Sequence, residues 1–212
     1  MSASRYVVGI DLGTTNSALA YVDTGAGEDQ VAVPAQLPVP QVVQPGIVEE
    51  RSLLPSFLYL PGASELPAGS LRLPWSADRD YAVGEFARNF GGQVPTRLVS
   101  SAKSWLCYAG IDRRAPVLPW KAPDNARRVS PLEASTLYLR HLCETWNFLV
   151  ARDVAESRLE QQDVVLAVPA SFDAVARELT VEAARAAGLE HLTLLEEPQA
   201  AFYAWIDASH ET

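Results

Sequence analysis

The stretch "DLGTTNS" (Asp11 to Ser17) gathers one carboxylate, one glycine and several small polar residues between two apolar runs. Those runs, "RYVVGIDL" and "SALAYVD", are rich in β-branched and aromatic residues and read as strands, with Gly13 marking the turn between them. Such a turn suits a phosphate group. Glycine lets backbone N–H groups approach an anion without a Cβ in the way, and the hydroxyls of Thr14 and Thr15 add donors. Asp11 cannot face phosphate bare, because like charges repel. With a hard cation between them it becomes useful, since Mg2+ keeps several waters from which a carboxylate can accept. Taken alone, the same residues also make an ordinary hairpin turn, which Gly and Asn favour.

Two further charged residues stand at positions where chemistry is conceivable. Lys103 sits in "SSAKSW" with Ala102 and Trp105 as small or apolar neighbours; a helical lysine is more commonly a solvated surface charge. Glu197 closes the run "LTLLEE" and precedes Pro198, a residue suited to the first turn of a helix. Ligands gather at strand carboxyl ends in open α/β sheets. The plainer reading of Glu196 and Glu197 is a pair of charges favourable to a helix N-terminus.

These residues need a frame. After the opening hairpin, "PQVVQ" (40–44) is expected as a third strand of the same meander. From Pro45 to Pro131 prolines and glycines become frequent and strands short ("PSFLYLP", 55–61), which predicts a smaller inserted subdomain. Within it "VGEFARNF" and "RLVSSAKSWLCYAG" are the expected helices. "SPLE" from Ser130 combines an N-cap serine, a first-turn proline and a glutamate at the third position, a capping box. Leu132, Leu139, Leu142, Trp146 and Leu149 then fall on one helical face. "DVVLAVPA", "DAVARELTVEAARAAG" ended by Gly188, "LTLLEE" and "PQAAFYAWIDA" follow as strand, helix, strand and helix, and apolar strands alternating with helices indicate a parallel arrangement. The division expected is a main unit of residues 1–50 and 129–212 and an insert of residues 51–128.

Composition excludes several function classes. The chain has 212 residues and a formal net charge of −9, and nothing clusters Lys and Arg as a nucleic-acid partner requires. "IDRRAP" and "NARRVS" read as solvated loop charges. No apolar run approaches the roughly 18 residues of a membrane helix, and the N-terminus lacks a signal-peptide pattern; the expected location is the cytoplasm. Cys107 and Cys143 lack metal-type spacing and suggest no disulfide framework. His141, His191 and His210 show no ligand spacing. Trp146 and Trp205 are expected in the core.

An N-terminal meander, an insert and a βαβα half follow the order of one lobe of the actin-like ATPase fold (ribonuclease H-like): an α/β lobe with a mixed five-stranded sheet flanked by helices and a smaller α+β insert. "GIDLGTTNS", Lys103, "VPASFDAVAR" (168–177) and "AGLEHLTLLEEPQAA" (187–201) come in the order and rough spacing of the DnaK-type heat-shock chaperones, and the chain resembles the first lobe of their nucleotide-binding domain. The resemblance implies ATP or ADP with Mg2+, and K+ as a further cation. It places Gly13, Thr14, Thr15 and Asn16 on the phosphates, Asp11 on the metal through water, Lys103 at the γ-phosphate and attacking water, and Glu197 aligning water. Pro169 and Arg177 fall at the family's proline switch and its arginine partner, which relay nucleotide state. Client polypeptides through a C-terminal domain absent from this chain, and a J-domain co-chaperone, are the implied partners, with neither nucleic acid nor membrane among them. "AKSWL" departs from the lysine-arginine-leucine succession of the family, and the insert is reduced, as in a divergent bacterial member. The second lobe is absent, so an excised, self-associating and inactive lobe is expected. An actin-like filament ATPase or a sugar kinase of the same superfamily are the alternatives.

Overall fold

The computed structural model describes residues 4–25 and 33–210. Strands β1 (Tyr6–Leu12) and β2 (Asn16–Asp23) form the opening hairpin, in register from Tyr6↔Asp23 to Leu12↔Ser17. Their two-residue period sends Tyr6, Val8, Ile10 and Leu12 into the core and leaves Asp11 on the opposite face of the sheet. The meander continues into β3 (Ala35–Gln36), which pairs with β2.

The expected third strand goes elsewhere. β4 (Val39–Gln44) pairs not with the hairpin but with β5 (Ile47–Arg51), as a separate two-stranded sheet. Gly46, at φ +74°, makes the tight connection that gives β4 this local partner, and Pro40 inside β4 offers no N–H to a second ladder.

The middle of the chain supplies β6 (Leu54–Pro55), β7 (Phe57–Tyr59), β8 (Ala82–Val83), α1 (Glu85–Gly91), β9 (Leu98–Ser100) and α2 (Ala102–Cys107). β6 pairs with β2 beside the turn, while β8-β7-β9 form a three-stranded sheet. The helix expected over residues 97–110 is therefore split. Residues 98–100 pair with β7, and Ser101, in the left-handed region at φ 55°, breaks the run before a six-residue helix starts.

The last part is regular: α3 (Pro131–Trp146), a π-helical turn over 147–151, β10 (Asp163–Val168), α4 (Ala174–Ala186), β11 (Leu192–Glu196) and α5 (Glu197–His210). The Ser130 side chain accepts from the Glu133 N–H at 2.9 Å, a cap worth about 1 kcal/mol. β10 lies parallel between β1 and β11, so the main sheet runs β11-β10-β1-β2-β3, five mixed strands with β6 added on β2.

One core joins the sheet, α3, α4 and side chains from residues 54–102. Leu139, Leu142 and Trp146 are fully buried, while Leu132 and Leu149 are half-buried at its margin. Trp146 packs edge-on against Tyr6 and Tyr21, both at 5.2 Å, and donates to the Ser157 carbonyl at 2.8 Å. Leu54, Leu58, Val83, Val99 and Ala102 from the middle of the chain belong to the same cluster. A second cluster around Tyr59, Leu71, Leu73 and Phe86 includes Val42 of β4. The proline-rich stretch 61–80 is tied down by Trp75, whose indole donates to Glu144 at 3.0 Å, and by the Arg79–Glu144 ion pair.

α5 touches β10 and β11, and none of its described residues is buried. Phe202, Tyr203 and Trp205 are 57%, 59% and 64% exposed, so Trp205 is not a core residue as expected. Residues 202, 203 and 205 span too wide an arc of a helix to turn inward together.

Candidate active site

The β1–β2 turn is braced from outside. Ser56, between β6 and β7, donates its hydroxyl to the Gly13 carbonyl at 2.7 Å and its N–H to the Thr15 carbonyl at 2.9 Å. Its hydroxyl also lies 3.0 Å from that of Ser17. Two serines, both nearly fully buried, thus hold the backbone of residues 13–15 in one shape. Thr14 and Thr15 stay exposed, with Asn16 half-buried behind them. A Cβ at Gly13 would lie 2.1 Å from the Asn16 carbonyl oxygen, so the turn closes only with glycine there.

Asp11, the residue before the end of β1, lies on the open face of the sheet. Its carboxyl is held above the ordinary 3.8, first because its surroundings strip water from it. Lys103 pulls in the opposite direction and the negative charge of Glu197 pushes further up. Both residues therefore lie within electrostatic reach of Asp11, although 92 and 94 positions separate the members of the set. A carboxylate that is partly desolvated and has a second carboxylate nearby gains most from a bound cation, which answers both costs. Asp11 suits Mg2+ held through water.

Lys103, on α2, is only 6% exposed, and its ammonium donates to Glu197 Oε1 at 2.6 Å. It also lies 5.9 Å from the ring centroid of Phe172. A buried ammonium needs a paired charge. Glu197 supplies it from the first residue of α5, directly after β11 and before Pro198, while remaining 44% exposed on its outer side. One carboxylate thus contacts the lysine and still faces the open side.

Pro169 follows β10, and its carbonyl accepts from the Phe172 N–H at 3.1 Å. Arg177, on α4, donates to the Phe172 carbonyl at 3.3 Å and pairs with Glu196 at 2.7 Å. Its partner is thus the carboxylate next to Glu197, one the sequence pattern marks only as a helix-end charge. The adjacent acids of "LLEEP" divide their work by strand and helix geometry: Glu196 turns to Arg177, Glu197 to Lys103.

Sequence reasoning misses the brace of Ser17 and Ser56, because a serine 39 positions from its partner carries no local signal. It also misreads "IDRRAP". Arg113 is buried, with its guanidinium forked onto Asp173 at 3.2 Å by each of two nitrogens. Arg114 beside it is exposed and pairs with Glu182.

The family model described as Hsp70 protein matches residues 111–208. Chaperone protein HscA of Enterobacter sp. (strain 638) is 32% identical over 213 residues, taking in 98% of this chain and 30% of that protein. HscA of Serratia proteamaculans (strain 568) is 34% identical over 220 residues, with the same two shares. The chain belongs to the Hsp70 family. Its fold is accordingly the actin-like ATPase fold of Hsp70 proteins, with a mixed sheet flanked by helices. The chain spans 30% of the length of these curated Hsp70 relatives. The similarity favours neither the filament protein nor the sugar kinase. No helix among the described residues is long and apolar enough to cross a membrane.

Proposed function

We propose that this chain is the first lobe of the nucleotide-binding domain of a divergent Hsp70-type chaperone, and that it binds ATP with Mg2+ for hydrolysis in the complete gene product. The observation that carries the reading is the buried Lys103 ammonium on Glu197 at 2.6 Å, with Asp11 in electrostatic reach of both. Backbone N–H groups of Gly13, Thr14, Thr15 and Asn16, together with the threonine hydroxyls, hold phosphate oxygens. Asp11 would hold Mg2+, which when bound would supply charge that neutralises the phosphates. Lys103 stabilises charge at the transferred phosphoryl group, and the free side of Glu197 orients the attacking water. Phosphoryl transfer is mainly positioning and electrostatics.

In this reading Pro169 and Arg177 carry the nucleotide state outward, and Glu196 is the carboxylate through which Arg177 is held. Client polypeptides, a J-domain co-chaperone, a cytoplasmic location and K+ as an additional cation belong to the proposal through resemblance to the family. So does the division into a main unit of residues 1–50 and 129–212 and an insert of residues 51–128.

The test is Mg2+-dependent ATP hydrolysis by the complete gene product beside its Asp11→Asn variant. The variant should need more Mg2+ for half-maximal rate. A wild-type Mg2+ requirement in Asp11→Asn would contradict the assignment.

A further inference from the structure

We propose that Arg113 is a positioning residue for Lys103: its guanidinium clamps the C-terminal end of α2 to the N-terminal end of α4 and so fixes the short helix that presents the ammonium to Glu197. The inference rests on the catalytic reading of Lys103 given above.

Helix α2 is six residues long, too short to be stable by its own hydrogen bonds, since isolated helices below about 12 residues are marginal in water. Its N-terminal end gains no side-chain cap, because Ser101 adopts a left-handed conformation and makes no capping bond. What holds it must come from its packing and its other end. There the last carbonyls have no helical partner, and Arg113 donates to two of them, Cys107 at 3.2 Å and Tyr108 at 3.4 Å. A cation at that end also suits the helix dipole.

The same guanidinium makes its two-pronged contact with Asp173. Asp173 is the N-cap of α4, accepting from the Ala176 N–H at 2.6 Å. It also follows Phe172, whose ring faces the Lys103 ammonium. One side chain therefore joins the helix that carries Lys103 to the helix end that packs beside it. Only arginine has the planar fork for this, with donors left over for carbonyls. Its burial next to a half-exposed Asp173 is what a clamp requires and what a solvated loop charge would not show. A displacement of about 1 Å at a catalytic group can cost on the order of 10² in rate; Leu106, fully buried, and Trp105, stacked on Trp120, pack the side of α2, while the Arg113 fork supplies the polar tie from its last carbonyls to α4.

The experiment compares single-turnover ATP hydrolysis and ATP affinity of the complete gene product for Arg113→Ala, Arg113→Lys and Asp173→Asn, each also in a Lys103→Ala background. Amide hydrogen exchange over residues 104–108 is followed without nucleotide. Arg113→Ala should lose on the order of 10-fold to 100-fold in rate, with ATP affinity unchanged. Arg113→Lys should restore little of it, because an ammonium cannot fork. Asp173→Asn should show a smaller loss in the same sense, with α4 still capped, since Asn caps as well as Asp. In the Lys103→Ala background none of the three should cost more. Exchange at the end of α2 should speed up in Arg113→Ala. Losses that multiply with that of Lys103→Ala, or unaltered exchange, would overturn the clamp while leaving the catalytic reading intact. Wild-type hydrolysis by Lys103→Ala would instead overturn the catalytic reading, and this inference with it.

Discussion

At Gly13 the contact is steric: the Asn16 carbonyl oxygen occupies the place where a Cβ would be, 2.1 Å away. Backbone rather than a flexible side chain is in the way, and the Ser56 hydrogen bonds to residues 13 and 15 leave the turn little room to adjust. Gly13→Ala should therefore distort the turn that presents its N–H groups. Titration calorimetry with ATP and Mg2+ on the complete gene product should find affinity reduced by about tenfold or more, the effect of losing one or more charge-assisted hydrogen bonds. Wild-type affinity would mean the turn does not touch phosphate. This glycine and its threonines were legible in the sequence because a hairpin turn is local. The Ser56 brace and the Arg113–Asp173 fork were not, because their partners lie 43 and 60 positions away and no periodicity links them.

Among elements, α3 is the one on which both halves lean, and it carries a histidine with no part in the site. His141 Nε2 lies 2.9 Å from the Pro40 carbonyl, so that nitrogen carries the proton and donates. Burial, and next the positive charge of Arg79, push the His141 value down to about 3, against the weaker pull of the Pro40 carbonyl. The unfolded chain thus takes up a proton that the folded chain refuses. Stability from this group is complete above about pH 6.5 and drops as pH falls, by about 1.4 kcal/mol between pH 7.5 and 5.5. Urea denaturation of His141→Gln at the two pH values should show most of that difference gone, since Gln can still donate to Pro40 but cannot charge. An unchanged pH sensitivity would contradict the account. The elements themselves were mostly readable: the β1–β2 alternation, the Ser130 cap and the βαβα half all follow from local pattern. Residues 39–44 and 98–101 were not. A short apolar run does not say which sheet it joins, and a serine gives no warning of a left-handed backbone.

For the molecule as a whole, the exposed side of α5 is the feature with the plainest consequence. Phe202 stacks on Trp205, with ring centroids 6.1 Å apart, and Tyr203 sits beside them, all three more than half exposed. Apolar patches above a few hundred Å2 are uncommon on monomers and tend to find a partner. The 212-residue chain should therefore self-associate, and Trp205→Lys should reduce this. Light scattering behind size exclusion across a concentration series measures it; a strict monomer at high concentration would dismiss the patch. The α/β class with a mixed sheet was legible because strand and helix runs alternate along the second half; the order of its strands was not. The meeting of Asp11, Lys103 and Glu197 was legible only through resemblance, since three distant polar residues carry no local sign that they converge.

The most direct measurement is single-turnover hydrolysis of ATP by the complete gene product, wild type against Lys103→Ala and Glu197→Ala, with nucleotide affinity determined in parallel. Each variant should slow hydrolysis by on the order of 10² to 10³, the usual cost of removing one preorganised electrostatic group, while binding ATP as the wild type does. Wild-type hydrolysis in either variant would contradict the assignment of the Lys103–Glu197 pair to phosphoryl transfer.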